Sequence, residues 1–233
     1  MGLYDEIAAF YDPWSRSVTE DVGFYVDEAL ASGGPVVELG VGTGRIAVPI
    51  ARAGVDVIGV DSSPGMLAVA RTAAKDAGVA DRVDLRLGDL REPPVSERVP
   101  LVICPFRSLL HMETEGEKLR ALRAARALLA EGGRFVFDVF SPSREDIEET
   151  DGRWLEREPG IFERADWDEG SRTLTLSVRS DGSLTSFGLH WLSVPEWLRL
   201  LDEANLAADA VYGWFDRHPH AGDEDMIFVT RAR

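Results

Sequence analysis

The chain has 233 residues, of which 45% are hydrophobic and 28% are charged, a composition typical of a folded protein rather than a disordered one. Forty-one acidic residues against 25 basic residues give a net charge of −16, which disfavours nucleic acid and anionic membrane surfaces as partners because like charges repel. The single cysteine, Cys104, excludes an intramolecular disulfide and a cysteine-rich zinc site.

The start of the chain has neither a basic region nor an apolar signal core. No apolar stretch approaches the roughly 18 residues that a membrane-spanning helix needs. We therefore expect a cytoplasmic protein.

The first half of the chain alternates between strand and helix patterns. Short apolar or β-branched runs predict strands at residues 35–39, 55–60, 83–87, 99–106 and 134–140. Ser63-Pro64 and the capping box at Thr114–Glu117 predict the starts of two of the intervening helices, and Gly132-Gly133 is expected to end the second one. Strands joined by helix-length segments predict a parallel sheet.

The alternation stops near residue 141. Residues 145–151 hold five acids and no base and are expected to be a solvated segment. Strand-like runs at 160–167, 172–179 and 183–192 predict an antiparallel meander, followed by a helix from the capping box at Ser193 and two strands at about 207–214 and 225–231. We expect a single domain over residues 1–233, with a β-rich insertion at about 141–192.

A glycine-rich loop, Gly40-Val41-Gly42-Thr43-Gly44, lies between the first strand and the first helix of this alternation. Glycine lets the backbone turn tightly and approach a ligand closely, and ligands of open α/β sheets bind beyond the carboxyl ends of the strands. The spacing differs from the dinucleotide fingerprint, because the last glycine comes one position early. Glu38, two residues before the first glycine, would also repel a pyrophosphate.

A cationic ligand fits the same acids better. S-adenosylmethionine carries a sulfonium and an ammonium, so a carboxylate such as Glu38 would attract that end of it. Asp61 ends the second strand, where it can accept hydrogen bonds from both ribose hydroxyls. Asp89 follows the third strand and can reach an adenine amino group, and Met66 can pack on the purine.

These segments resemble the class I S-adenosylmethionine-dependent methyltransferases, a Rossmann-like α/β fold. The motifs are residues 36–45, 60–67 and 88–90, and the likeness runs from about Tyr4 to Phe140 and resumes weakly near Trp191. Residues 105–111 and 211–216 look like a subgroup of small bacterial methyltransferases. The meander is more loosely similar to that of amino-sugar N,N-dimethyltransferases.

The resemblance implies a seven-stranded, mostly parallel sheet of order 3-2-1-4-5-7-6 with strand seven antiparallel. It implies S-adenosylmethionine as cofactor and S-adenosylhomocysteine as product, with N-terminal helices over about 1–32 as a lid. The residues that it assigns to the cofactor are Glu38, Gly40, Gly42, Gly44, Asp61, Ser62, Met66, Asp89, Leu90, Cys104 and, in the lid, Tyr11.

The methyl acceptor is expected at the same end of the sheet. Methyl transfer depends strongly on alignment of the acceptor, so a base is needed only where the acceptor must lose a proton. Arg107 could hold an acceptor anion or pair with an acid, and His111 could act as a general base or be structural. Further candidates for the acceptor pocket are Trp14, Phe106, His190, Trp191, Tyr212 and Trp214, whereas Trp154, Trp167 and Trp197 are expected to serve in packing.

The sequence therefore predicts a methyltransferase that acts on the nitrogen or oxygen of a small molecule. A non-catalytic module that binds the cofactor and a nicotinamide-dependent oxidoreductase are the alternatives. Two histidines beside acids at 216–223 do not specify a metal geometry, so we expect no metal. The oligomeric state stays open, with a dimer as one option.

Overall fold

The computed structural model describes residues 19–180 and 182–233, so the predicted lid residues Tyr11 and Trp14 lie outside the described residues. Its helices are α1 (Glu20–Ser32), α2 (Ala47–Arg52), α3 (Pro64–Asp76), a 3₁₀ helix (Ser108–His111), α4 (Glu115–Ala127), α5 (Arg144–Thr150) and α6 (Val194–Glu203). Its strands are β1 (Val36–Leu39), β2 (Val57–Asp61), β3 (Val83–Leu87), β4 (Val99–Cys104), β5 (Leu129–Phe140), β6 (Trp154–Glu158), β7 (Ile161–Asp168), β8 (Thr173–Ser180), β9 (Ser183–His190), β10 (Leu206–Tyr212) and β11 (Asp225–Ala232).

A seven-stranded sheet forms the centre of the fold, with strand order β3-β2-β1-β4-β5-β11-β10. The pairs from β3 to β5 are parallel, and β11 is antiparallel to both β5 and β10. This is the order that the resemblance implies, including the antiparallel direction of the strand that comes last in the chain, β11. The predicted fold class is confirmed.

The sheet is covered by apolar packing on both faces, as the alternation along β5 shows. Phe135 and Phe137 join one buried cluster with side chains of α4 and α6, whereas Val136 joins another cluster with α1 and α2. Phe137 stacks on Phe228 with ring centroids 4.9 Å apart, and Trp197 lies 5.4 Å from Phe137. Trp197 is therefore a packing residue, as predicted.

Three helix starts agree with the caps that the sequence predicts. Ser63 Oγ accepts a hydrogen bond of 3.1 Å from Met66 N, and Thr114 Oγ1 accepts one of 3.2 Å from Glu117 N. The capping box at Ser193 is complete. These bonds satisfy amide groups that the first turn of a helix leaves without a partner.

The inserted sheet differs from the expected meander in having four strands, in the order β6-β7-β8-β9. The additional strand, β6, pairs with β7 from Trp154↔Arg164 onwards. The acidic segment before it is helical rather than irregular, because Ser143 caps α5 and the acids of its first turn face the positive end of the helix dipole. Its side chains remain accessible to solvent, as expected.

The predicted helix end at Gly132-Gly133 is wrong. Helix α4 ends at Ala127, and Leu129 already pairs with Val99 in the sheet. Gly132 instead has φ +73°, and a Cβ on Gly133 would lie 3.0 Å from Val99 O. The glycines therefore allow a close approach between strands rather than ending the helix.

In the ranges 19–180 and 182–233, the structure has no helix that is both long enough and apolar enough to cross a membrane.

Candidate cofactor and acceptor site

The glycine loop after β1 adopts backbone conformations that side chains rarely take. Gly40, Gly42 and Gly44 have φ of +79°, +54° and +85°. A Cβ on Gly40 would lie 2.6 Å from Ser108 Oγ, whereas a Cβ on Gly42 would meet no described protein atom within 4 Å. Glycine is thus required at Gly40 by close packing, while at Gly42 it leaves space open in front of the loop.

Asp61, at the end of β2, ties this loop to the start of α3. Its carboxylate accepts hydrogen bonds from Gly42 N at 2.9 Å and from Ser63 N at 2.8 Å. The two bonds fix the orientation of the carboxylate at the carboxyl end of the sheet.

A cavity of about 180 Å³ opens between the glycine loop and the ends of β2, β3 and β4. Its walls are Gly40, Gly42, Val60, Asp61, Ser62, Met66, Gly88, Asp89, Leu90, Arg91, Phe106, Ser108, His111 and Met112. The structure therefore gathers residues from four separate loops at the edge of the sheet where ligands of α/β folds bind.

A larger cavity of about 410 Å³ lies under the inserted sheet. The inserted sheet contributes an apolar wall and one acid, and the remaining acids come from α1, β5, α5 and the start of β11 with the residue before it. The apolar wall consists of Leu155, Ala165, Trp167, Leu174, Leu176, Phe187 and Leu189, and the acids are Asp21, Asp138, Asp146, Glu163, Glu224 and Asp225.

Phe106 and His111 line both cavities. Both residues lie just after β4, in the turn and 3₁₀ helix that separate the two spaces. The His111 ring also lies 5.5 Å from the Phe187 ring of the inserted sheet. The small cavity and the large cavity thus meet at these two side chains.

Burial and the nearby charge of Lys118 lower the pKa of His111 to about 4. The imidazole is consequently neutral at pH 7, the form that can accept a proton or a hydrogen bond.

Comparison with known proteins shows which proteins this region resembles. A family model described as a methyltransferase domain matches residues 36–133, which contain the glycine loop, Asp61 and Asp89. Over residues 36–133, the chain thus resembles a methyltransferase domain.

Relatives of this methyltransferase domain extend the likeness to most of the chain. An uncharacterized methyltransferase of Bacillus cytotoxicus is 30% identical over 146 residues, which cover 58% of this chain and 65% of the relative. The chain thus spans less than two thirds of that curated relative.

Solved structures share the complete architecture. The CcbJ methyltransferase of Streptomyces caelestis matches with a TM-score of 0.85 and 28% identity, over 99% of this chain and 97% of the other. CalS10, an S-adenosylmethionine-bound amino pentose methyltransferase of Micromonospora echinaspora, matches with a TM-score of 0.66 and 21% identity, over 93% and 92% of the two chains. The predicted likeness to methyltransferases is confirmed by the CcbJ match together with the family model, and the CalS10 match supports the fold.

The residues of the methyltransferase domain fit the cofactor in two respects. Gly42 leaves its wall of the small cavity open, and Glu38 holds a buried carboxylate oxygen, Oε2, to which no described residue donates a hydrogen bond. Burial raises the pKa of Glu38 well above its ordinary range. A buried carboxyl oxygen without a hydrogen-bond donor is costly, and a donor group of the ligand, such as the methionyl ammonium, would relieve that cost where it reached Oε2.

The predicted cofactor residues fall into three groups. Those that line the small cavity are Gly40, Gly42, Asp61, Ser62, Met66, Asp89 and Leu90. Glu38, Gly44 and Cys104 lie behind that wall rather than on it, and Cys104 is completely buried. Tyr11 lies outside the described residues. Roles for the individual residues stay predictions.

Asp89 carries a partner that the sequence analysis did not identify. Arg91 Nη2 lies 2.5 Å from Asp89 Oδ2, and Arg91 Nε donates to Asp89 Oδ1 at 2.9 Å. This ion pair lowers the pKa of Asp89 and keeps it ionised. Arg91 also contacts Glu117, so the pair forms a fixed wall beside Leu90.

Arg107 lines the large cavity, as expected for a residue that contacts the methyl acceptor, but its guanidinium already forms an ion pair with an acidic side chain. Nη2 lies 2.8 Å from Asp225 Oδ1, and the guanidinium stands 4.6 Å from the centre of the Phe140 ring. Two roles were predicted for Arg107, binding an anionic acceptor and pairing with an acid, and the structure contains the second.

The tryptophans of the inserted sheet are arranged differently from the prediction. Trp167, expected to serve in packing alone, lines the large cavity, and its Nε1 donates to Thr150 Oγ1 at 2.9 Å. Trp191 is buried behind Trp167, with ring centroids 5.6 Å apart. Trp167 lies within β7 whereas Trp191 follows the end of β9, and the sequence does not orient either indole relative to the cavity.

Of the other predicted acceptor residues, Trp214 lines the large cavity with Phe106. Tyr212 instead packs edge-on against Phe24, with ring centroids 6.5 Å apart, and His190 stands at the end of β9 outside both cavities. Trp14 lies outside the described residues. Trp154 packs under Arg179, 4.4 Å from the guanidinium, in agreement with its expected packing role.

None of the six acids of the large cavity was predicted as a site residue, and two of them, Asp138 and Asp21, are buried. Asp138 interrupts the apolar run of β5, and burial raises its pKa to about 6. Asp21, in α1, is buried and pairs with Arg45 at 2.8 Å. The sequence could have indicated Asp138 as a functional candidate, because it is a charged residue within the apolar run of β5. A buried charge needs partners, and these become visible only in the folded structure.

The histidines near the carboxyl end of the chain bind neighbouring acids. His218 Nδ1 lies 2.7 Å from Asp216 Oδ1, and its Nε2 lies 3.3 Å from Asp223 Oδ1. These ion pairs raise the pKa of His218. Within 19–180 and 182–233, no group of three or more His, Cys, Asp or Glu residues is placed to hold a metal ion.

Proposed function

We propose that the protein transfers the methyl group of S-adenosylmethionine to a nitrogen or oxygen atom of a small molecule held under the inserted sheet. The observation that carries this proposal is that two cavities of different character meet at Phe106 and His111. One is the cofactor cavity of a methyltransferase domain, and the other is a larger space with an apolar wall and acidic groups.

Each wall of the small cavity would hold a different part of S-adenosylmethionine. Met66 and Leu90 would hold the adenine by apolar contact, with Asp89 beside them, and Asp61 would accept the ribose hydroxyls. The glycine loop would support the methionyl portion. The bound cofactor supplies an activated methyl group, which needs no redox partner and no metal to leave sulfur.

The acceptor cavity supplies alignment. A displacement at carbon requires the nucleophile to stand opposite the departing sulfur, and holding it there can contribute several kcal/mol, up to about 7–11 in the best intramolecular cases. Phe106 and His111 stand at the junction where the two reactants would meet. His111 can accept a hydrogen bond from the acceptor there, because its pKa of about 4 leaves the imidazole unprotonated at neutral pH.

The size and charge of the acceptor cavity support a small, uncharged or cationic acceptor. The inserted sheet covers a space of about 410 Å³, the scale of pockets for small ligands. Its acids and the net charge of −16 disfavour polyanions such as nucleic acids. Because the insertion completes the pocket, we also propose that residues 1–233 act as one domain.

The test combines calorimetry with a transfer assay. S-adenosylhomocysteine and NAD are titrated separately into the protein, and S-adenosylmethionine is then incubated with panels of small amines, phenols and amino sugars, with methylated products detected by mass spectrometry. We expect binding of S-adenosylhomocysteine and not of NAD, and methylation of at least one class of acceptor.

Three variants make the test specific. Asp61→Ala should lose binding and transfer, His111→Phe should lose transfer with binding retained, and Arg144→Ala, on the exposed face of α5, should lose neither. Cofactor binding without methylation of any acceptor in extracts of the source cells would favour the non-catalytic binding module. Binding of NAD alone would contradict the proposal altogether.

A further inference from the structure

The turn between β4 and the 3₁₀ helix holds two successive residues in a conformation that is unfavourable for both. Phe106 has φ +55° and Arg107 has φ +63°, and neither is glycine. The left-handed conformation costs an L-residue roughly 1–2 kcal/mol, and such backbone persists only where its surroundings hold it.

Asp138, on the neighbouring strand β5, supplies that support. Its Oδ1 accepts a hydrogen bond from Phe106 N at 2.9 Å, and its Oδ2 accepts one from Arg107 N at 3.0 Å. The hydroxyl of Tyr25, in α1, donates to Oδ1 at 2.5 Å. One buried carboxylate thus binds both strained amides and is itself fixed from a third direction.

The conformation of the turn determines where its two side chains go. The Phe106 ring, which lines both cavities, lies 4.7 Å below the guanidinium of Arg45. The Arg107 side chain turns the other way, to Phe140 and Asp225. If the turn relaxed to ordinary backbone angles, both side chains would move, and the wall between cofactor and acceptor would change shape.

We propose that Asp138 is a positioning residue for methyl transfer, which holds the Phe106–Arg107 turn and thereby sets the alignment between the two cavities. This inference rests on the proposed function for its effect on turnover. The geometry of the turn also affects the cofactor cavity, because Phe106 forms part of that wall.

The hydrogen-bond chemistry favours a carboxylate over an amide at this position. Asparagine has one acceptor oxygen and one NH₂ group, so Asp138→Asn would place a donor against either Phe106 N or Arg107 N. Glycine at position 107 would remove part of the strain, since glycine adopts positive φ readily. The loss caused by Asp138→Asn should therefore be smaller when Arg107→Gly is already present.

The experiment is a double-mutant cycle on the full chain with Asp138→Asn, Arg107→Gly and both together. The first readout is the affinity for S-adenosylhomocysteine by calorimetry, which needs no acceptor. The second is kcat and KM with an acceptor identified in the panel above. Thr230→Val serves as the control, since Thr230 is buried on β11 and donates to Phe135 O at 2.8 Å, away from both cavities.

We expect Asp138→Asn to weaken S-adenosylhomocysteine binding several-fold and to lower kcat at least tenfold, with a smaller change in KM. Against the Arg107→Gly background, both losses should shrink. Thr230→Val should lower the melting temperature and leave kcat and KM as in the wild type.

Equal losses of affinity and kcat in both backgrounds, in proteins that remain folded, would overturn the positioning role. So would a folded Asp138→Asn protein with wild-type affinity and kcat. Failure of the proposed function is distinguishable, because the wild type would then bind S-adenosylhomocysteine without transferring methyl groups, and the calorimetric cycle would still decide the role of Asp138.

Discussion

Gly42→Ala provides a sharp test of the cofactor site, because the added methyl group would meet the ligand and not the protein. Gly42 lines the small cavity, and its built Cβ has no described atom within 4 Å. Its φ of +54° leaves only a modest backbone cost for alanine. The variant should fold, and its defect should concern the ligand.

The magnitudes separate these two effects. Alanine in the left-handed conformation costs about 1–2 kcal/mol of stability, partly offset because alanine restricts the unfolded chain more than glycine does. We therefore expect a loss of about 1 kcal/mol in unfolding free energy. A methyl group in the ligand's space should reduce affinity by about tenfold or more, which corresponds to about 1.4 kcal/mol.

The assay is titration of S-adenosylhomocysteine into each variant, beside urea unfolding followed by tryptophan fluorescence. Gly78→Ala is the matched control, since Gly78 has φ +71°, equally open surroundings and a position at the end of α3 away from the cavity. It should show the same loss of stability with wild-type affinity. Wild-type affinity in Gly42→Ala would refute the assignment of the small cavity to the cofactor.

Three further predictions follow from other parts of the structure. Asp61→Ala should weaken S-adenosylhomocysteine binding by about 1.5–3 kcal/mol, the range for hydrogen bonds to a charged group; unchanged affinity in calorimetry would remove Asp61 from the site. His111→Phe should lower kcat at least about tenfold, given the usual contribution of proton transfer, and leave affinity nearly unchanged; intact turnover would make His111 structural. Burial lowers the pKa of Lys118 from its ordinary 10.5 to about 7, so the unfolded chain binds more protons between these values and wild-type stability should rise with pH relative to Lys118→Met. A difference in unfolding free energy that is constant from pH 7 to 10 would contradict this last prediction.

Lys118 also illustrates what helical periodicity does not convey. The residue lies in α4, but it is completely buried, and its Nζ donates to Leu109 O at 3.3 Å and to Met112 O. Its ammonium therefore satisfies carbonyl groups around the 3₁₀ helix that carries His111. A lysine in a helical segment is normally predicted to be exposed to solvent. The burial of Lys118 follows only from the position of the 3₁₀ helix beside it.

The cofactor half of the site was accessible from the sequence because its determinants are local. The glycine loop follows β1, Asp61 ends β2 and Asp89 lies two residues after β3. Parallel strands bring their carboxyl ends to one edge of the sheet. Position along the chain then implies position in space. The helix caps at Ser63 and Thr114 are local for the same reason, since each bond spans three residues.

The acceptor half depends on contacts between distant parts of the chain. Asp138 reaches Phe106 from 32 residues away and Tyr25 from 113 residues away, and no pattern within one element specifies such a pairing. That Trp167 lines the large cavity while Trp191 packs against it likewise depends on how the inserted sheet packs on the rest of the fold.

The strand order was implied by the resemblance to a methyltransferase family. The sequence by itself determined the alternation of strands and helices, the edge of the sheet where the glycine loop, Asp61 and Asp89 meet, and most of the residues lining the small cavity. It did so because strand period, glycine conformation and capping chemistry act over a few residues. The tertiary structure alone decided how the inserted sheet covers the large cavity and how Asp138 supports a strained turn. Both features depend on the burial of groups that come together only when the whole chain folds. The interactions that stabilise them therefore cannot be inferred from any single segment of the sequence.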